Sequence, residues 1–496
     1  MAVARRSRRS LRLALAGVLA AGPAQAHGFG QRYDLPLPLS YWLAAAALVV
    51  GLSFALAAVA ARRRAGPGRR RPWPRLPVGA AAKTMVPLLR ALGLAVLVLV
   101  VAAGLAGVQS PIRNIAPTLV WVLWWVGLVF VCVLVANPWP ALNPWATLYD
   151  LGAWAWTRLA RRPPPAPPLR YPRALGAWPA VALFAGFAWI ELIWKHGEVP
   201  AALAAVILAY SVLTLAAMVA FGRDAWLGGG EAFTLAFSVF GRFAPIAPAP
   251  GGGAELELRP YGAGLLVDAP ASRSMVCFVV LMLSTVTFDG LMETPLWSAT
   301  VDAAFSCETL APALFVMRDV FGNAAKGIET VALVLFPIAV LAFFLVFVWI
   351  MARLAPLAAA PGGPAHYDLW ALAGRFAFTL VPIAVGYHFA HYLSFLAIAG
   401  QLAIPLASDP FGFGWDLLGT ARYRIDISLI NARVVWYVAV TAIVTGHVIG
   451  VVLAHVAALR LFASRAAAIL SQVPMLVLMV CYTMLSLWIL AQPIVQ

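Results

Sequence analysis

GYHFAHYLSFLAIAGQ, residues 386–401, sets His388 and His391 inside an apolar run long enough to cross a membrane. A spacing of three places both imidazoles on one face of a helix. Ionisable groups at membrane depth are costly, so such a pair is a functional-site candidate from the outset. The rest of the chain decides what surrounds it.

Of the 496 residues, 63% are hydrophobic and only 11% charged, and the mean hydropathy is +0.89. A soluble protein of this length has no need of so much apolar surface, whereas a bundle of membrane-spanning helices does. The net charge of +16 does not point to nucleic acid, because the arginines fall in short runs beside apolar segments, as orientation signals do. The four cysteines, Cys132, Cys277, Cys307 and Cys481, form no CxxC or disulfide framework and read as buried small hydrophobes. A glycine-rich phosphate loop, GxSxG and HExxH are all missing from the sequence.

Residues 1–26 read as a secretory signal, with Arg5, Arg6, Arg8 and Arg9, an apolar stretch, then Ala24-Gln25-Ala26. Cleavage there leaves 27–496 as a single transmembrane helical-bundle domain whose first residue, His27, combines a free amine with an imidazole, a pair able to chelate copper. Apolar segments recur near 41–61, 87–108, 117–136, 174–194, 200–221, 274–294, 329–351, 370–396, 433–457 and 470–492. Each is about long enough for a hydrocarbon core of roughly 30 Å. They lack the alternation of barrel strands, so helices are expected. The expected fold is an all-α polytopic membrane protein with about ten transmembrane helices after the signal peptide. Both termini lie outside in the topology that puts Arg62–Arg64, Arg69–Arg71, Arg161, Arg162, Arg353 and Arg460 on the cytoplasmic side of a bacterial inner membrane.

The connections carry further expectations. NPWPALNPW, residues 137–145, makes a doubled turn whose tryptophans suit the headgroup level. The stretch 231–246 suits a short amphipathic helix in the interface. The long connections 295–328 and 397–432 are expected to contain elements of their own, the second offering Phe411-Gly412-Phe413-Gly414-Trp415 either to cover a cavity mouth or to pack on helix ends.

The topology sets His388 and His391 in the outer half of the eighth span, and Asp289 and Glu293, four apart, in the outer half of the sixth. Glu191 falls in the fourth and His447 near mid-depth in the ninth, while His366 and His455 read as boundary residues. Imidazole and carboxylate on facing helices are the ligand set of zinc, iron or manganese sites in bundles. His388 and His391 are the expected metal ligands, with Asp289 and Glu293 as ligands or catalytic base and Glu191 and His447 as further candidates. Each histidine also admits the plainer reading of a hydrogen-bonded core residue.

The start of the mature chain, HGFGQRYDLPLPLSYW, together with NPWPALNPW and GYHFAHYLSFLAIAGQ, resembles the bacterial integral membrane fenitrothion hydrolases. That resemblance implies hydrolysis of the P–O aryl bond of an organophosphorus triester. An apolar triester partitions into lipid and would reach a site within the bilayer. Two other classes stay open: a transporter of protons, metal ions or a small solute, which would also line its path with His and acids, and a metal-delivery or assembly factor for a periplasmic enzyme. The partners expected are the lipid bilayer and an apolar small molecule, without nucleic acid.

Overall fold

The computed structural model describes residues 34–60, 73–249, 255–358, 366–462 and 464–492. The expected signal segment 1–26 and His27 lie outside these described residues. The chain is a polytopic helical membrane protein. In chain order the elements are α1 (Leu39–Ala60), β1 (Arg75–Pro77), α2 (Gly79–Ala106), a π-helix (Thr118–Gly127) continued by α3 (Leu128–Leu134), α4 (Pro144–Ala160), α5 (Trp178–Leu192), α6 (Pro200–Phe221), α7 (Ala232–Gly241), β2 (Ile246–Pro248), β3 (Glu255–Leu258), α8 (Arg273–Met292), α9 (Pro295–Ser306), α10 (Ala311–Phe321), α11 (Ala324–Leu354), α12 (Leu369–Phe376), α13 (Val381–Ala399), α14 (Ala432–Leu461) and α15 (Arg465–Ala491). Among the described residues nine helical segments are long and apolar enough to span a membrane, and ten if α9 and α10, bent by 76°, count as one.

Side chains start several of these helices where the sequence leaves the apolar run. Ser272 accepts from Met275 N, Asp368 from Ala371 N, Asn431 from Val434 N and Ser464 from Ala467 N, each satisfying an N–H that the first turn leaves without a partner. The segment expected at 174–194 forms a helix of only 15 residues, about 22 Å long. The 3-10 turn Lys195–Glu198 and Pro200 end it early. It nevertheless runs alongside α8, tied by Ala177 N to Ser274 Oγ at 2.8 Å. The connection 295–328 holds its own elements, α9 and α10. The chain also makes a small antiparallel sheet, β1-β3-β2, that the apolar pattern did not announce.

Burial separates centre from periphery. The apolar windows of α8 and of the segment 369–408 are 72% and 78% buried, against 11% for α1 and 17% for α2 and α11. The first two therefore form the interior, and the others present their apolar sides outward, as spans facing lipid do. Between helices in lipid there is little hydrophobic drive, so close contact depends on small residues. Gly386 and Gly446 supply it where α13 crosses α14 antiparallel: a Cβ on Gly386 would lie 2.5 Å from the Ala442 carbonyl oxygen, and one on Gly446 2.4 Å from that of Pro382.

Three expectations are corrected. The stretch 231–246 is not interfacial: α7 is buried nearly all round, because Phe233 and Phe237 pack against Trp124 and Trp139 and a helix apolar on every side belongs in a core. Trp139 and Trp145 are buried rather than anchored at a surface, because their indole N–H groups find Thr234 and Ser211 inside the bundle. Only Cys132 is buried among the cysteines, with Cys277 and Cys307 half-buried and Cys481 exposed on a helix side where apolar sulfur is cheap to leave. His455, near the end of α14, packs against Phe54. Of the two uses weighed for Phe411–Trp415, packing on helix ends is the one found: Val108 N and Ile115 N donate to the carbonyls of Phe411 and Pro410 at 2.8 and 3.1 Å.

Gly446→Val is expected to destabilise the folded protein by about 1–3 kcal/mol through overpacking, whereas Gly51→Ala, where an added Cβ meets nothing, is neutral or slightly stabilising. Thermal unfolding in detergent compares the two. In the connection after α13, the Ala421 N–H and Ser408 hydroxyl hold the exposed Asp416 carboxyl below the usual carboxylate range. A depressed value means that its contribution is present above the unfolded value of about 3.9 and disappears as pH falls through the lower folded one. Limited proteolysis within 409–431 is therefore expected to accelerate only below about pH 4, and Asp416→Asn to be cleaved readily at neutral pH.

Candidate functional site

The site is built where α8 and α13 finish at the same end of the bundle. These helices run parallel: Ala271, just before α8, donates its N–H at 3.0 Å to the carbonyl of Gly374 in α12, which leads into α13, and Asp289 meets His391 near their ends. Asp289 is 7% exposed and His391 8%. His391 Nε2 lies 2.9 Å from Asp289 Oδ2, and the Tyr392 hydroxyl donates to the same oxygen at 2.7 Å. A carboxylate that accepts from two buried donors is far cheaper to bury than a bare one. With Nε2 donating to an ionised Asp289, the neutral imidazole carries its lone pair on Nδ1.

Two more carboxylates stand close. Glu293, the residue that ends α8, is near enough to His391 and Asp289 for their charges to interact. Glu191 of α5 interacts likewise with Asp289, and the Trp125 indole faces it. Glu191, His388, Tyr392, Thr285 and Trp125 border a cavity of about 20 Å³, room for about one water molecule. His388, buried on the adjacent face of α13, places Nε2 3.3 Å from the Val126 carbonyl. A carbonyl only accepts, so Nε2 is the protonated nitrogen. Val126 belongs to the π-helix, a rare form often found where helices serve a site.

Of the residues expected from sequence, the structure thus brings together Asp289, Glu293, His391, His388 and Glu191, and leaves His447 apart. His447 Nδ1 bonds the Ile443 carbonyl at 2.8 Å, and its ring faces Tyr482, whose hydroxyl bonds Thr287. Its neighbour Gly446 packs at Pro382, nine residues or about 13 Å before His391 along α13. Among the described residues, no three of His, Cys, Asp and Glu are placed to hold a metal ion together. The donor set expected for zinc, iron or manganese is therefore not assembled by these residues, and no step below is routed through a metal.

Sequence reading missed two things. Tyr392 sits in the opening stretch itself, and a hydroxyl next to His391 on a helix facing an acid was a usable signal. Glu231, wholly buried, had none. It caps α7 by accepting from Phe233 N and Thr234 N at 3.0 and 2.7 Å and from the hydroxyls of Tyr210 and Thr234. Asn143 and Trp139 of the doubled turn bond the same threonine. With every oxygen partnered at a helix N-terminus, Glu231 is structural.

No family model, curated protein or solved structure matches the chain. The functional reading therefore rests on the side chains.

Asp289→Ala removes the acceptor shared by His391 and Tyr392 and is expected to cost about 3–5 kcal/mol, as when one partner of a buried pair is lost. Tyr392→Phe, which removes one hydrogen bond, costs about 1–2 kcal/mol. Thermal melts of the two purified variants should rank in that order.

Proposed function

We propose that the protein is a membrane-embedded hydrolase whose acid–base centre is the Asp289–His391 pair, acting on an apolar ester that reaches it through the lipid. The observation that carries this reading is the shared oxygen of Asp289, which fixes both the His391 imidazole and the Tyr392 hydroxyl within the bundle. Through the resemblance described above, the substrate class is an organophosphorus aryl triester and the bond cleaved is P–O aryl.

In this proposal His391 Nδ1 takes a proton from water as the water oxygen bonds to phosphorus. Asp289 holds the ring's tautomer and balances the imidazolium that forms. The P–O aryl bond breaks, the bonding pair leaves with the aryl oxygen, and the proton on His391 passes to that oxygen or to solvent. Glu293, at the end of α8, is placed to pass protons between His391 and the aqueous side. The side facing the site is taken as the periplasm of a bacterial inner membrane, from the distribution of arginines.

His391→Ala is expected to lower turnover of a nitrophenyl phosphotriester by about 10²–10⁴-fold, the usual worth of a positioned general base, and Asp289→Asn to fall in the same direction. Nitrophenolate release by purified protein in nanodiscs measures this. A folded His391→Ala variant with undiminished turnover ends the proposal.

A second reading, proton-coupled transport, is favoured by one observation. Tyr387 is close enough to Asp289, Glu293 and Tyr482 for their charges to interact, and Tyr387 Oη and His447 Nε2 are buried without hydrogen-bond partners among the described residues. These groups extend the polar cluster towards mid-membrane. Proton flux into proteoliposomes that is lost in His447→Phe, with no ester hydrolysis, would select this reading over the first.

A further inference from the structure

A cavity of about 660 Å³ lies across α5 and the π-helix from the small polar cavity, between α2, the π-helix, α5 and α6. Leu183, Ile190 and Trp124 border it, while their sequence neighbours Phe184, Glu191 and Trp125 border the small polar cavity. The two spaces thus share a wall. We propose that this cavity binds a single hydrocarbon chain of a bilayer lipid.

Four observations favour that occupant. The wall is carbon nearly throughout, and four of its polar side-chain groups are already engaged: Trp121 Nε1 donates to the Gly197 carbonyl, Trp139 Nε1 to Thr234, Trp145 Nε1 to Ser211 and the Tyr210 hydroxyl to Glu231. A polar ligand would lose its hydration without replacement. The cavity is elongated, running along α6 from Leu203 to Leu213, about 15 Å at 1.5 Å per residue. Its border includes Leu92 and Leu213, 53% and 46% exposed on spanning helices, so it opens where lipid chains lie. A protein helix of that length, about 10 Å across, fills roughly 1,200 Å³, more than the cavity holds. Association within lipid draws on shape and dispersion rather than on the hydrophobic effect, and a flexible chain matches an elongated apolar slot.

Gly186 makes the proposal testable, because it borders the cavity and a Cβ there meets nothing within 4 Å. The experiment places the full chain in nanodiscs containing a phospholipid with a photoactivatable acyl chain and maps the labelled peptides. Labelling is expected to concentrate on 92–100, 119–124 and 203–213. Gly186→Phe should lower it there on the order of tenfold, since filling an occupied site costs binding of that size, while labelling of α1 stays unchanged and Gly186→Ala behaves as the parent. Should Gly186→Phe fail to fold, Ala209→Phe fills the same space from α6. Labelling no denser than on α1, or unchanged in a folded filled variant, overturns the proposal. So does displacement by a compact aryl ester but not by a free fatty acid, or cross-linking of these residues to a second copy of the chain. The assay does not measure turnover, so its result is independent of the hydrolase reading.

Discussion

At membrane depth no water is present to complete a hydrogen bond, so each polar group must find its partner within the protein. Asp289 is where this constraint acts most strongly. Its oxygen gathers a histidine and a tyrosine from consecutive positions of α13, and that requirement fixes how α8 and α13 lie against each other at the end where they finish. Glu231 meets the same constraint elsewhere, drawing the N-terminus of α7, Tyr210 of α6 and, through Thr234, the doubled turn before α4 into one network.

Packing between these polar anchors depends on contact rather than on water exclusion. Gly386 and Gly446 let α13 and α14 approach until only hydrogen fits between backbone and backbone. The result is an interior of α8, α12, α13 and their neighbours, with α1, α2 and α11 outside it. The π-helix serves both sides of the wall it forms. It offers the Val126 carbonyl to His388 on one face and the Trp121 and Trp124 rings to the apolar cavity on the other.

The separation of a polar space from an apolar one by a wall a single residue apart in sequence has a functional sense. Charges act more strongly where water is scarce, and an apolar space beside them helps to keep water away. The two proposed readings of the Asp289–His391 pair, ester hydrolysis and proton passage, both draw on surroundings in which water is scarce.

What the sequence determined by itself was the class of fold and the approximate place of its helices, because apolar runs of about twenty residues have one stable form in lipid. His388, His391 and Asp289 fall within spanning helices, and Glu293 at the end of one, as their positions in those runs indicated. Which of them meet was decided only by tertiary structure. A spacing of three or four settles the face of a helix but not which helix stands opposite, so His447 was grouped with residues it does not touch. Glu231 and the buried Trp139 and Trp145 looked like connection and surface residues because partners that neutralise them come from segments distant in sequence. Helix burial is legible locally; the pairing of buried polar groups is a property of the assembled bundle.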